Sequence, residues 1–316
     1  MNLSLYMRFV PVLIALNCVS VAHAFQDSDK ANLAWKFAQG DALTVQFEQT
    51  QKVLTRIDVR DRILESELLL VVDWKVASVG GDGNATVDQV IKRIRIKTGT
   101  PGEATKGIVD LDTGSDEKLR GVSRDVMKQM QTLVGLEFSI VMTPLGEIVS
   151  VTPDEGVATV VAALPETSAL RRVFSAANMS KLLKDSAFAL PAEPVGKGDS
   201  WTDDSKITIA ANDGNKLPFD RSVKSTVASL DADKANIDVA VSLAQKKTTA
   251  APPDTALTSP LDMQSFTGSG NIVFDRSTGT VTSSKMATEL KTVVIYRTDK
   301  VKTTTTVANK MTVTRK

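Results

Sequence analysis

Alternation of apolar and polar residues with a period of two dominates this chain. Leu43, Val45 and Phe47 alternate with Thr44, Gln46 and Glu48, the pattern of a strand with one face buried. Val90, Ile94 and Ile96 stand among Lys92, Arg93, Arg95 and Lys97, and Val293, Ile295 and Val301 repeat the pattern near the end. Leu68 to Val72 is apolar without interruption, which suits a strand in the middle of a sheet. Turn signals separate these runs: Gly80 to Asn84, Pro144 to Glu147, and Asp275 to Gly279. Strands arriving as hairpins, without helices between them, predict antiparallel pairing.

Helical periodicity is sparse. Val126, Met127, Met130 and Leu133 share one face of a helix predicted over 123–133, with Ser123 as its N-cap. Residues 165–190 read as two short helices, with apolar faces at Leu170, Val173 and Phe174 and at Met179, Leu182 and Leu183. The expected class is α+β and predominantly antiparallel β: one or two curved sheets, at the limit a half-barrel, with a few short helices.

A weak internal repeat sets VASVGGDGNATVD, from Val76, beside VASLDADKANID, from Val227. A second echo places Gly40-Asp41 and Gly198-Asp199 each just before a strand. The expected organisation is a signal peptide at 1–24, a β-rich half with helices at 25–190 and an antiparallel β half at 191–316. The halves meet at LPAEPVGKGDSW, where Pro191 and Pro194 stop helices and Trp201 enters the sheet.

The leader reading rests on Arg8, the 13-residue apolar run from Phe9 to Val21, and the small-x-small site Ala22-His23-Ala24, with cleavage after Ala24. It predicts export to the periplasm or the cell exterior, with no transmembrane segment in the mature chain. Cleavage would remove the only His and the only Cys. The mature chain then has no disulfide, no Ser-His-Asp or Cys-His catalysis and no zinc site built on those ligands. Without Arg8 its basic and acidic residues are equal in number, which argues against nucleic acid as a partner. The basic stretch Lys300 to Lys316 reads as a strand with solvated charges.

Few constellations could carry chemistry. Asp110, Asp112 and Asp116 lie in an acidic turn that could offer oxygens to calcium, although Gly121 stands where an EF-hand needs Glu. A solvated acidic turn is the alternative. Gly196-Lys197-Gly198 lacks P-loop order, and Asp199 beside it would repel phosphate. Asp199, Asp203 and Asp204 near Trp201 are the carboxylates for acid–base work, but aromatic residues make up only 5% of the chain, too few for a sugar site.

Ile94-Arg95-Ile96, Asp110-Leu111-Asp112, Leu133-Val134-Gly135, Met142 to Ile148, Gly198 to Trp201 and Gly268 to Asp275 together resemble a family of exported bacterial proteins of unknown function. The resemblance implies a large antiparallel sheet with a few helices and carries no activity. The layout is also similar to lipoprotein-carrier half-barrels, by analogy alone. The expected role is an exported, non-enzymatic binding or envelope structural protein with no cofactor and a lipid or envelope partner. Its sharper form is a hydrophobic-ligand carrier. There Phe47, Leu69, Val71, Ile94 and Ile96 line the concave face, and the helices near Met127–Leu133 and Leu170–Leu183 form a lid. The alternative is a carboxylate- or calcium-dependent extracytoplasmic hydrolase.

Overall fold

The computed structural model describes residues 30–57, 60–101, 109–117, 119–164, 171, 180, 188–210, 216–245, 262–295 and 302–315. The leader predicted over 1–24 and most of the helical segment predicted over 165–190 lie outside them. The strands are β1 (Ala42–Ile57), β2 (Arg60–Val79), β3 (Ala85–Gly99), β4 (Val109–Asp112), β5 (Glu137–Met142), β6 (Ile148–Pro153), β7 (Ser200–Ala210), β8 (Lys216–Leu230), β9 (Lys234–Gln245), β10 (Asp262–Asp275), β11 (Thr280–Ile295) and β12 (Lys302–Arg315). The helices are α1 (Gly121–Leu133) and α2 (Glu155–Ala163).

All twelve strands form one antiparallel sheet, ordered β6-β5-β3-β2-β1-β12-β11-β10-β9-β8-β7, with β4 paired to β3. The β1–β12 pairing joins the first and last strands at the middle of the sheet. At the end bearing the β2–β3, β5–β6, β8–β9 and β10–β11 turns, the segment that leads into the edge strand β7 meets the β5–β6 turn, where Leu190 N donates to Leu145 O at 2.8 Å. The sheet is therefore curled, but it is not a closed barrel.

Residues paired across antiparallel strands project to the same side, so the register defines the faces. One row runs Ile94, Leu70, Phe47, Val313, Ser284, Ile272, Ile237 and Val227. This face carries the core. Over β3 and β5 it packs against Met127, Met130 and Leu133 of α1 and Val157 and Val161 of α2. Over β8 to β10 it packs against Leu33, Leu190 and Val195. The other face shows Glu48, Arg95, Thr312 and Lys285 along an adjacent row.

This register corrects part of the expected concave lining. Phe47, Ile94 and Ile96 lie on the core face. Leu69 pairs with Glu48 and Arg95, and Val71 with Gln46 and Arg93, so both belong to the opposite face. The uninterrupted run Leu68–Val72 hid that alternation. Val90 is displaced likewise: the buried positions run Ala85, Val87, Gln89 and Ile91, then jump to Ile94 across a bulge.

The helices also differ from expectation. α1 starts at Gly121 with Arg120 as an N-cap that makes no side-chain bond, so Ser123 lies inside it. Its apolar face is core, not a lid. α2 is not among the predicted helices; Asp154 caps it by accepting from Gly156 N at 2.7 Å.

The repeat is structural. β1-β2-β3-β5-β6 and β7-β8-β9-β10-β11 follow the same order, and the first set carries β4 and α1 as an insertion. Ala38 N donates to Asp41 Oδ2 at 3.0 Å, and Gly196 N to Asp199 Oδ2 at 3.0 Å. Gly40 N donates to Val76 O and Gly198 N to Val227 O, both at 2.8 Å. The bulge at Val76/Ser78 recurs at Val227/Ser229, and that at Val141/Met142 recurs at Val273/Phe274. β12 lies between the two sets and joins them.

A strap, residues 31–37, crosses the turn end. Ala31 bridges to Val195, Trp35 N donates to Pro144 O at 2.7 Å, and Lys36 N to Gly279 O at 3.1 Å. It thus binds the β5–β6 turn of one set and the equivalent β10–β11 turn of the other. Both turns offer a glycine at positive φ, Gly146 and Gly279. A Cβ at Gly279 would come within 2.6 Å of Lys36 N, so a side chain there would push the strap away.

Candidate functional site

The core face does not end where the core ends. β1 has 16 residues and β2 has 20, yet their buried positions are Val45, Val72 and Val76, toward the turn end. Beyond them lies Leu68, paired with Ile96 and Gln49. A polar row follows with Ser66, Gln51 and Thr98. Next comes an apolar row of Leu64, Val53, Val307, Leu290 and Phe266. Leu64 is 49% exposed, and Leu68 and Ile57 are each 38% exposed. The same face near β8 and β11 is more covered, with Phe219 and Thr292 buried.

A cavity of about 280 Å³ opens at the turn end. Val76, Val87 and Thr280 form its buried floor, and Trp35, Phe37, Leu43 and Trp74 its walls. Trp35 and Phe37 stack with centroids 6.0 Å apart and planes 5° apart. Lys36, Asp41, Thr278 and Arg315 stand at the exposed mouth. Arg315 Nη1 donates to Thr280 Oγ1 at 2.6 Å, and Thr280 Oγ1 lies 2.9 Å from Thr278 Oγ1. The indole Nε1 atoms of Trp35 and Trp74 are buried without a hydrogen-bond partner, as is Nε2 of Gln89, the cross-strand partner of Trp74. The strap that builds this cavity has no periodicity to mark it in the sequence. Arg315 reads there as one more solvated charge of a basic strand.

The acidic turn is engaged with arginines. Arg95 donates from Nε and Nη2 to Asp110 at 3.0 and 2.8 Å. Arg93 donates in the same way to Asp112 at 2.8 and 2.5 Å. These bonds hold both carboxyls below the usual carboxylate range. The β3 bulge beside Ile91 turns Arg93 toward Asp112. Asp116 is exposed in the loop that follows. A cation here would have to displace two bidentate guanidinium partners. Among the described residues, no group of three His, Cys, Asp or Glu side chains is gathered to hold a metal.

Asp199 is bound by Gly196 N and lies 3.4 Å from Lys30 Nζ. Asp203 and Asp204 are exposed on β7 and, as neighbours along a strand, point to opposite faces. The structure therefore does not bring these three carboxylates together. Trp201 Nε1 donates to Ala189 O at 2.9 Å, and its ring packs on Phe188. Among the described residues, no helix is long and apolar enough to cross a membrane.

No curated protein matches the chain. Among solved structures, one of lipid–protein interactions in lipovitellin is similar at a TM-score of 0.45 and 7% identity, over 89% of this chain. The chain spans 25% of that chain's length. The S. cerevisiae core factor gives a TM-score of 0.12 and 8% identity, over 79% of this chain and 44% of that one. At these scores neither likeness carries an argument about this protein. Residues 82–281 match a family of unknown function, DUF6263, and the chain belongs to that family.

Proposed function

We propose that the protein is an exported, non-enzymatic carrier of a hydrophobic ligand, held on the far half of the core face between β3 and β11. The observation that supports this is the exposure of Leu64, Leu68 and Ile57 on the core face, beyond its buried part. Fully burying a leucine is worth about 1.5–3 kcal/mol. Covering the exposed part of Leu64 or Leu68 is then worth about 1 kcal/mol, or roughly fivefold in affinity. The polar row at Ser66, Gln51 and Thr98 gives a bound chain a place for one polar group. In this reading residues 1–24 direct export, and the duplicated sets form one continuous surface.

Titration with diphenylhexatriene, a neutral apolar fluorophore, tests the reading. The full mature chain should bind it saturably. Leu64→Glu and Leu68→Glu should each weaken binding at least fivefold, with the melting temperature unchanged within about 2 °C. Thr50→Glu, on the opposite face of β1, should leave binding as it was. Equal binding by all four proteins would sink the proposal.

A further inference from the structure

The cavity at the turn end lies outside the surface assigned to the carrier, with buried Val45 and Val72 between them. We infer that it is a second, independent site, for a small apolar molecule bearing one carboxylate.

Three observations converge on that chemistry. The walls are apolar and flat: the parallel Trp35–Phe37 pair on one side and Trp74 with Leu43 on the other. Aromatic faces set in parallel favour a ring or a short acyl chain. The volume, about 280 Å³, equals that of roughly nine liquid waters at about 30 Å³ each, which admits one ring and excludes a phospholipid.

The charges sit only at the mouth. Lys36 and Arg315 face Asp41 there, two cations against one anion. Asp41 Oδ2 already accepts from Ala38 N. Lys36 Nζ gives two bonds to the carbonyls of Arg276 and Ser277. Arg315 gives one bond, to Thr280 Oγ1, and a guanidinium has five N–H donors.

A carboxylate supplies the acceptors that the remaining donors of Arg315 lack, and its planar oxygens match the guanidinium fork. The hydrogen bond to buried Thr280 anchors one arm of that fork beside the cavity. The site also draws on both repeats: Leu43, Trp74, Val76 and Val87 come from β1 to β3, Trp35 and Phe37 from the strap, and Thr278 and Thr280 from the β10–β11 turn and the start of β11.

Calorimetric titration of the full mature chain with 3-phenylpropionate tests this, with 3-phenylpropionamide as the neutral twin. Tryptophan fluorescence reports occupancy, since Trp35 and Trp74 line the cavity. The acid should bind saturably, and the amide about tenfold or more weaker, as expected when a charge-assisted hydrogen bond is lost. Arg315→Gln should weaken the acid by a similar factor and leave the amide unchanged. Arg315→Lys should restore part of the loss. Arg315 is exposed, so both variants should melt like the parent. Diphenylhexatriene binding should be unaffected by either variant, which separates this site from the carrier surface. An absence of saturable binding, equal affinity for acid and amide, or unchanged affinity in Arg315→Gln would each overturn the inference.

Discussion

Replacing Leu33 by Ala tests whether the strap locks the two repeats together. Leu33 is 1% exposed and packs with Leu190, Val195, Val223, Val227, Ile237 and Phe274. The strap backbone is pinned on both sides of it. Ala31 and Val195 exchange bonds of 2.9 and 3.0 Å, and Trp35 N reaches Pro144 O at 2.7 Å. A pinned backbone cannot sink into the space left by the lost side chain, so the cost falls in the middle to upper part of the leucine-to-alanine range, about 3–4 kcal/mol. For a domain of this size each kcal/mol shifts the melting temperature by about 2–4 °C. Leu33→Ala should therefore melt about 6–16 °C lower in calorimetry, with the urea midpoint falling and its slope unchanged. Asn32→Ala, one residue away and exposed, should change stability by less than about 0.5 kcal/mol. A loss below about 1 kcal/mol in Leu33→Ala would refute the strap as a structural clamp.

Gly146→Ala and Gly279→Ala should both destabilise, because each adds a Cβ at positive φ against the strap or its neighbours; matched urea melts check this, and a neutral Gly279→Ala would contradict the close approach to Lys36. Acid should loosen the β10–β11 turn, since Ser277 Oγ and Thr278 N donate to Asp275 and hold its carboxyl at about 2. A depressed carboxyl stabilises above the unfolded value near 3.9 and loses that effect as pH falls through the folded one. Melting temperature should therefore drop between about pH 4 and pH 2, and Asp275→Asn should flatten the drop; identical profiles would exclude this turn as a contributor. Asp110 and Asp112, lowered by Arg95 and Arg93, act with the same sign: their contribution is lost as the pH falls. If the repeat is functional at the level of folding, Asp41→Ala and Asp199→Ala should destabilise alike in matched urea melts, because each removes the same acceptor for a backbone N–H.

The amphipathic strands were legible residue by residue. Leu43, Val45 and Phe47 alternate in the sequence, and they alternate in β1. The turns at Gly80–Asn84, Pro144–Glu147 and Asp275–Gly279 were legible for the same local reason: Gly, Pro and Asp restrict the backbone wherever they stand. The repeat was visible in the sequence only as short strings, because what it preserves is hydrogen bonding at Gly40-Asp41 and Gly198-Asp199 rather than side-chain identity. Continuous apolar runs gave no parity, so Leu69 and Val71 could not be assigned a face without their partners Glu48 and Gln46. A bulge had the same effect at Val90. The cavity was not legible, since Phe37, Trp74, Thr280 and Arg315 are brought together only by the strap and the closing of β12 onto β1.

The surface assigned to the ligand is tested most directly by what the protein carries. The protein, expressed from the full sequence and purified without detergent, should be extracted with chloroform and methanol and the extract analysed by mass spectrometry beside that of Leu68→Glu. A stoichiometric amphiphile in the wild-type extract, strongly reduced in Leu68→Glu at equal protein and equal melting temperature, is the predicted result. Equal traces in both extracts, together with no saturable binding of diphenylhexatriene, would contradict the carrier account.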